Sequence, residues 1–307
     1  MIRPTCISNT DPVDPQLLRT FVAVARLGSF SAAARELGYT QSAVSQHIAA
    51  LEGDVGAPLL RRRPVEPTGP GRRLLEHAGP ILLRLAAARA DVLRAAGEPA
   101  GRMLLGASPL AVTGPAAGLL ARLRQEQPGL AIALRVAGRA AVAAGVAAGE
   151  LDLGLVDGIA APGDPLRLPD AGWLTAVELA TQPVVVALPA GHPLAGRRGL
   201  RLADLADAGW IDAPDVTGPL PDLRAVAGTD TVRAAFGYAG ADTAGLLALI
   251  AAGHGLALLP AAAVPPAGVV GVPVREPELE HRTELLHSHL TAPAALLAGM
   301  LRAARTG

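Results

Sequence analysis

Over the first 95 positions of this chain apolar residues recur at three- and four-residue spacing; beyond them, short apolar runs alternate with helical stretches. Asp14-Pro15 opens the first helical segment, in which Leu17, Phe21 and Val24, with Leu18, Val22 and Ala25 beside them, form an apolar face that stops at Gly28. A second segment, Ser31 to Leu37, opens on a serine N-cap and ends at Gly38, a residue that adopts the left-handed conformation of a helix C-terminus. Tyr39 and Thr40 complete the turn. Thr40 then caps a third segment that sets Val44, Ile48, Leu51 and Val55 on one stripe. Two short helices meeting across such a break read as a helix-turn-helix inside a three-helix core.

The other face of the third segment is polar. Gln41, Ser42, Ser45 and Gln46 gather near its N-terminal end, where hydroxyl and amide side chains can read base edges in a major groove. An ordinary antiparallel helix pair with a solvated face is the alternative. From Ala57 to Thr68 the chain places Arg61, Arg62 and Arg63 beside Pro64 and Pro67. This predicts a short hairpin, a wing able to grip phosphates, against the plainer reading of a solvated basic loop.

Residues 74–95 carry a heptad seam of Leu74, Ala78, Ile81, Leu85, Ala88, Val92 and Ala95, with Arg84, Arg89, Asp91 and Arg94 outside it. The pattern predicts a dimerisation helix bent at Pro80, whose missing N–H weakens the ladder there. A long amphipathic helix packed on its own domain is the alternative. Glu98-Pro99-Ala100-Gly101 breaks the helix, and the period changes.

Met103 to Ala107, Ala131 to Val136 and Leu153 to Val156 read as strands, separated by helices near Ala116 to Gln127 and Ala140 to Gly149. A second series has strands at Val184 to Leu188, Trp210 to Asp212, Arg233 to Phe236 and Leu256 to Leu259. Its helices fall around Arg201 to Asp207, Pro221 to Ala227 and Asp242 to Ala252. The chain returns through Val269 to Val274 and Glu280 to His289 and ends in a helix from Pro293 to Arg305. Ligand sites in such α/β series lie at strand C-terminal ends. Ser108 ends one strand before a helix, so its hydroxyl and the backbone N–H groups that follow, from Leu110 onward since Pro109 carries none, could hold a carboxylate, or merely cap the helix. The same argument nominates Ala137 and Gly138, Val156 and Asp157, and Thr217, Phe236, Tyr238 and His254 in the second series. Arg139 and Gly158 read equally well as loop structure.

The stretch FVAVARLGSFSAAARELGYTQSAVSQHIAALEGDVGAPLLRRRPVEPTGPG closely resembles the N-terminal pattern of the LysR-type transcriptional regulators. The resemblance covers the whole chain. It implies an α/β fold with an N-terminal winged helix-turn-helix and a linker helix, followed by a two-lobed effector domain like the periplasmic binding proteins. Carried over by position, Gln41, Ser42, Ser45 and Gln46 would face bases. Ser29, Ser31, Arg61, Arg62, Arg63 and Thr68 would touch the DNA backbone, and the Ser108 group would line a cleft between the lobes. Ala49 stands where the family often has a cation, and Gly69-Pro70-Gly71 replaces a stretch usually free of proline. The expected division is a tail over 1–13, the DNA-binding domain over 14–68, the linker over 69–97 and the effector domain over 101–307. Within the last, lobe I spans about 101–187 and 266–307, and lobe II about 188–265.

Composition narrows the chemistry. The formal net charge of zero divides into 12 arginines against 8 carboxylates over residues 1–96 and 15 against 19 over the rest, so a basic third suited to a polyanion precedes an acidic remainder. All 27 basic residues are arginine, which excludes a P-loop lysine or a Schiff base. Cys6 is the sole cysteine, which offers no disulfide framework and fits a reducing cytoplasm; no signal-peptide pattern opens the chain. Residues 243–274 lack a charged residue, but Pro260, Pro265, Pro266, Pro273 and five glycines interrupt them, against a membrane span. Gly106-Ala107-Ser108-Pro109-Leu110 has leucine where a nucleophile elbow needs glycine. His281, His287 and His289, the latter two on one strand face, lack the partners of a metal site and read as surface histidines.

Together these features predict a ligand-responsive regulator, not an enzyme and with no cofactor, that binds promoter DNA at an interrupted inverted repeat as a dimer or dimer of dimers, with RNA polymerase as a candidate partner. A constitutive regulator without ligand and a two-lobed binding protein or enzyme are the alternatives.

Overall fold

The chain divides into two compact units, Met1–Ala86 and Ala87–Gly307. The computed structural model describes residues 13–95, 101–168, 174–230, 232–265 and 268–305, so the expected tail up to residue 12 and the break at 98–100 lie outside the described residues.

In the first unit α1 (Pro15–Leu27), α2 (Phe30–Leu37) and α3 (Gln41–Val55) each start on a side-chain cap and stop at a left-handed glycine. The caps are Asp14, Ser29 and Thr40, and the stops are Gly28, Gly38 and Gly56. A cap of this kind contributes about 1 kcal/mol. The serine that caps α2 is Ser29, which accepts the Ala32 N–H; Ser31, expected there, lies inside the helix. Leu18, Phe21, Val24, Ala33, Val44, Ile48 and Leu51 interlock as the core. Val55, expected on the same stripe, is exposed at the last residue of α3.

A hairpin of β1 (Leu60–Arg62) and β2 (Val65–Pro67) follows, antiparallel, and α4 (Gly69–Ala95) begins immediately after it. Thr68 accepts the Gly71 N–H and donates to the Pro58 carbonyl at 2.6 Å, tying the start of α4 to the base of the hairpin. Gly71 is required there, since a Cβ would strike the Leu59 carbonyl oxygen. That close approach accounts for the second glycine of Gly-Pro-Gly. Ala78 is buried in the three-helix core with Leu74 packed on it, so the first part of the seam belongs to its own domain. Beyond the core the seam is bare: Ile81, Leu85 and Val92 are 48%, 42% and 67% exposed.

The second unit holds an eight-stranded mixed sheet ordered β4-β3-β5-β12-β6-β11-β7, with β10 also on β6. Its strands are β3 (Arg102–Ala107), β4 (Ala131–Val136), β5 (Leu153–Ala160), β6 (Thr175–Pro189), β7 (Leu200–Arg201), β10 (Ala257–Pro260), β11 (Val269–Glu276) and β12 (Glu280–His287). Strands β8 (Gly209–Asp212) and β9 (Arg233–Gly237) form a parallel pair. In one lobe α5 (Gly114–Glu126) and α9 (Ala292–Arg305) pack on one sheet face, around Met103, Leu123, Leu153, Leu285 and Leu297, while α6 (Arg139–Ala147) covers the other. In the other lobe Trp210, Leu202, Val186 and Leu258 centre one core and Ile211, Leu246 and Ile250 a second, with α7 (Leu220–Ala227) and α8 (Thr243–Ala251).

Strand β6 is the shared beam: its first part pairs with β12 and its second with β10 and β11. Strand β12 leaves β6 at Pro183, and residues 269–273 lie beside 185–189. Only the buried Val184–Leu188 half of β6 announced itself as a strand, because the 175–183 half is largely exposed and carries no apolar run. Likewise the helix expected over Arg201 to Asp207 is a single 3-10 turn, Leu202–Leu205. The uncharged 243–274 run folds into α8, β10 and the start of β11, and among the described residues no helix is long and apolar enough to cross a membrane.

Candidate DNA-binding and ligand-binding sites

On α3 the side chains of Gln41, Ser42 and Gln46 are exposed and Ser45 is half-buried. The Ser42 hydroxyl lies 2.9 Å from that of the capping Thr40. Residues behind α3 hold it in place. Thr20 of α1 donates to the Gln16 carbonyl and sits 3.0 Å from His47 Nδ1; Tyr39 packs edge-on to the His47 ring and accepts from the Gln16 side chain. No spacing in the sequence announced this bridge, whose members come from α1, the turn and α3.

Arg61, Arg62 and Arg63 are all exposed on the hairpin. The Arg62 guanidinium stacks 5.5 Å from the centre of the Phe30 ring on α2. At the hairpin base Glu52 Oε1 accepts two backbone N–H groups, from Leu59 at 2.8 Å and Leu60 at 3.2 Å. Ser29 and Thr68 are engaged as caps, and Ser31 is exposed on α2. Arginines and polar groups thus stand on the α3 and hairpin surfaces, an arrangement that can grip phosphates and reach bases.

The residues nominated as a ligand cleft fall into separate places. Ser108, Asp157 and His281 form a buried chain, each at most 3% exposed. Ser108 Oγ accepts the Asp157 N–H at 2.8 Å and donates to Asp157 Oδ1, while His281 Nε2 stands 2.9 Å from Asp157 Oδ2. The carboxylate separates serine from imidazole, so His281 does not reach Ser108 as the general base of a serine hydrolase would. His281 is therefore a core residue and not a surface one, and His289 lies beyond the strand face it was expected to share. Strand β5 runs on to Ala160, which puts Val156 and Asp157 mid-strand and buried, not at its end. After Ser108 comes one 3-10 turn, Pro109–Ala111; the α-helix starts only at Gly114 with Thr113 as its cap.

Gly138 and Arg139 form the N-terminus of α6, where the other lobe supplies two carboxylates. Asp222 pairs with the buried Arg139 guanidinium, and Asp215 presses on Gly138, where a Cβ would collide with it. The Arg139 guanidinium also fills the space over Gly158 and Gly218. Ala137 stands half-buried before them, and the Thr217 hydroxyl is 3.3 Å from the Ala213 carbonyl. Two small spaces, of about 20 and 100 Å³, adjoin Arg139. Phe236 and His254 stack with ring centres 5.2 Å apart, and Tyr238 donates to the Asp242 carbonyl; these three line neither space.

A cavity of about 790 Å³ opens elsewhere, lined by Pro109, Leu110, Thr113, Leu179, Thr283 and Pro260 among others. Two ionisable side chains of β12 have shifted equilibria. Burial lowers the Arg282 pKa, but the Glu284 hydrogen bond and the charges of Glu284, Glu178 and Glu280 outweigh it and raise the value. Burial, aided by the Arg302 charge, pushes the His287 imidazole down.

The sequence matches two family profiles, "Bacterial regulatory helix-turn-helix protein, lysR family" over residues 15–72 and "LysR substrate binding domain" over 96–306. The small neutral protease regulatory protein of Streptomyces coelicolor is 35% identical over 216 residues, 68% of this chain and 66% of its own length. A probable hydrogen peroxide-inducible genes activator of Mycobacterium avium is 36% identical over 198 residues, 62% of this chain and 59% of its own length. The chain thus spans two thirds or less of these relatives. Among solved structures, CbnR, a LysR family transcriptional regulator, superposes with a TM-score of 0.52 at 22% identity, over 95% of this chain and 99% of that one. With a helix-turn-helix profile on the first unit and a substrate-binding profile on most of the second, the chain belongs to the LysR family.

Proposed function

We propose that the chain is a cytoplasmic, sequence-specific transcriptional regulator that binds promoter DNA through α3 and the arginine hairpin and responds to a small-molecule effector in its two-lobed unit. One observation carries this reading: the exposed Gln41, Ser42 and Gln46 on α3 share a small unit with three exposed hairpin arginines, the pairing of base-reading and phosphate-gripping groups that specific DNA binding needs. Ile81, Leu85 and Val92, bare on α4, fit a paired helix, and a dimer or dimer of dimers would read an interrupted inverted repeat, with RNA polymerase as a further partner. An effector entering between the lobes meets Arg139 and Thr217, and breaks the Arg139 pair with Asp222.

Selection and sequencing of genomic fragments retained by the purified protein tests the reading. Enrichment of two half-sites of opposite orientation is the expected result, and retention of fragments without any common sequence would remove it.

A further inference from the structure

We propose that His47 is a DNA-phosphate contact coupled to proton uptake: its ring keeps one proton on Nδ1, toward α1, and takes a second on Nε2 when a phosphate docks against the flank of α3. The inference deepens the reading of the first unit as a DNA-binding domain and rests on it.

Hydrogen-bonding capacity fixes the first proton. A threonine hydroxyl has one hydrogen to donate, and that of Thr20 goes to the Gln16 carbonyl at 2.9 Å. Its oxygen, 3.0 Å from His47 Nδ1, therefore accepts, which puts a proton on Nδ1. In the neutral ring Nε2 is then an acceptor. It has no hydrogen-bond partner among the described residues. The ring, turned by Nδ1 toward Thr20 and met edge-on by Tyr39, is only half-buried.

Position selects a phosphate. His47 stands about 100° round α3 from Gln46, off the face that carries Ser42 and Gln46 and on the side of Thr20. Phosphates border the groove that a recognition helix enters, and more protein–DNA hydrogen bonds go to the sugar-phosphate backbone than to bases.

Charge supplies the coupling. The side chains that meet the ring, Thr20 and Tyr39, are uncharged, as is Gln16, which donates to the Tyr39 hydroxyl. The ionised residues of the surrounding elements are engaged elsewhere or exposed. Asp14 caps α1, Arg26 pairs with Glu36, and Glu52 holds the hairpin base. Arg19, Arg35 and Asp54 are exposed. No carboxylate among the described residues bonds the imidazole, so a protonated ring gains its counter-charge only from a phosphate. A bare Nε2 repels a phosphate oxygen, whereas a protonated one donates to it in a charge-assisted bond. Binding thus draws a proton from solvent onto Nε2.

The test titrates full-length protein with a short duplex taken from a genomic fragment that it retains, between pH 6 and pH 8, where histidine changes charge. Wild type should bind about three- to tenfold more tightly at the acid end. His47→Asn keeps a donor for Thr20 at the Nδ1 position and removes Nε2, so its circular dichroism should match wild type while its affinity changes less than about twofold over the same range. Calorimetry of the wild type in buffers of different ionisation enthalpy should show proton uptake on binding, a readout that does not depend on the variant folding. The same pH dependence in both proteins, wild-type affinity that rises with pH as an Nε2 accepting from a base amino group would give, or no proton uptake overturns the proposal and leaves the regulator reading standing. A protein that retains no duplex at any pH overturns both.

Discussion

Glu52, near the C-terminal end of α3, accepts the backbone N–H of Leu59 at 2.8 Å, and the same oxygen takes that of Leu60 at 3.2 Å. One carboxylate thereby fixes where the arginine hairpin leaves the helix that carries Gln41 and Gln46. Glu52→Ala should cost about 1–3 kcal/mol of stability, since it strands two donors, and Glu52→Gln, which keeps an acceptor, should cost less. Chemical denaturation of the three proteins checks the order; equal losses would mean that the bonds carry no weight.

Base readers and phosphate grippers should separate by their DNA preference. Gln46→Ala is expected to weaken operator binding by about 1–3 kcal/mol and random DNA hardly at all. Arg62→Ala should weaken both and reduce the salt slope by about 1. Titrations at several salt concentrations distinguish the two, and an unchanged slope would place Arg62 off the backbone.

The seam residues divide by burial. Ile81→Glu with Leu85→Glu, at exposed positions, should leave the fold intact and yield monomers in sedimentation. Ala78→Glu, in the three-helix core, should instead unfold that unit, as a buried unpaired charge does. A dimer surviving the double substitution would move the interface elsewhere.

Asp222→Ala strands the buried Arg139 guanidinium between Gly158 and Gly218. Because Asp222 is itself 40% exposed, the loss should be moderate, about 1–3 kcal/mol, and Asp222→Asn should recover part of it. Thermal melts of the variants provide the measurement, with identical melting temperatures counting against a cross-lobe tie.

Acid should weaken the fold through His287. Its folded pKa lies below the ordinary 6.5, so as pH falls through 6.5 the unfolded chain takes up a proton that the folded one does not. Stability from this group is complete above 6.5, declines down to the folded value and is constant below it. His287→Gln should therefore lose less stability than wild type between pH 7.5 and 5.5 in parallel melts, and equal losses would assign the acid sensitivity elsewhere.

Ser108 shows where reading the sequence ran out. A serine between a strand and a helix offers its hydroxyl to solvent or ligand on local grounds, yet here it belongs to Asp157. The reason is pairing register. Thr283 lies opposite Asp157 in the β5 and β12 ladder, which brings His281, two residues along, onto the same face. Residues 124 positions apart meet because of a register that no local pattern encodes. Ser108→Ala, silent for a free cleft hydroxyl, would strip Asp157 of a partner.

By itself the sequence determined the three-helix core, the hairpin and most of the order of strands and helices, because caps, left-handed glycines and apolar periodicity act within a few residues of one another. It also carried the family, through a continuous stretch from Phe21 to Gly71. Only the tertiary structure decided that Ala78 is core while Ile81 is bare, that Arg139 is matched by a carboxylate from the other lobe, and that a cavity of about 790 Å³ opens beside Pro109. Each of these depends on which distant segment packs against a residue, and burial and charge pairing are properties of that packing, not of neighbours along the chain.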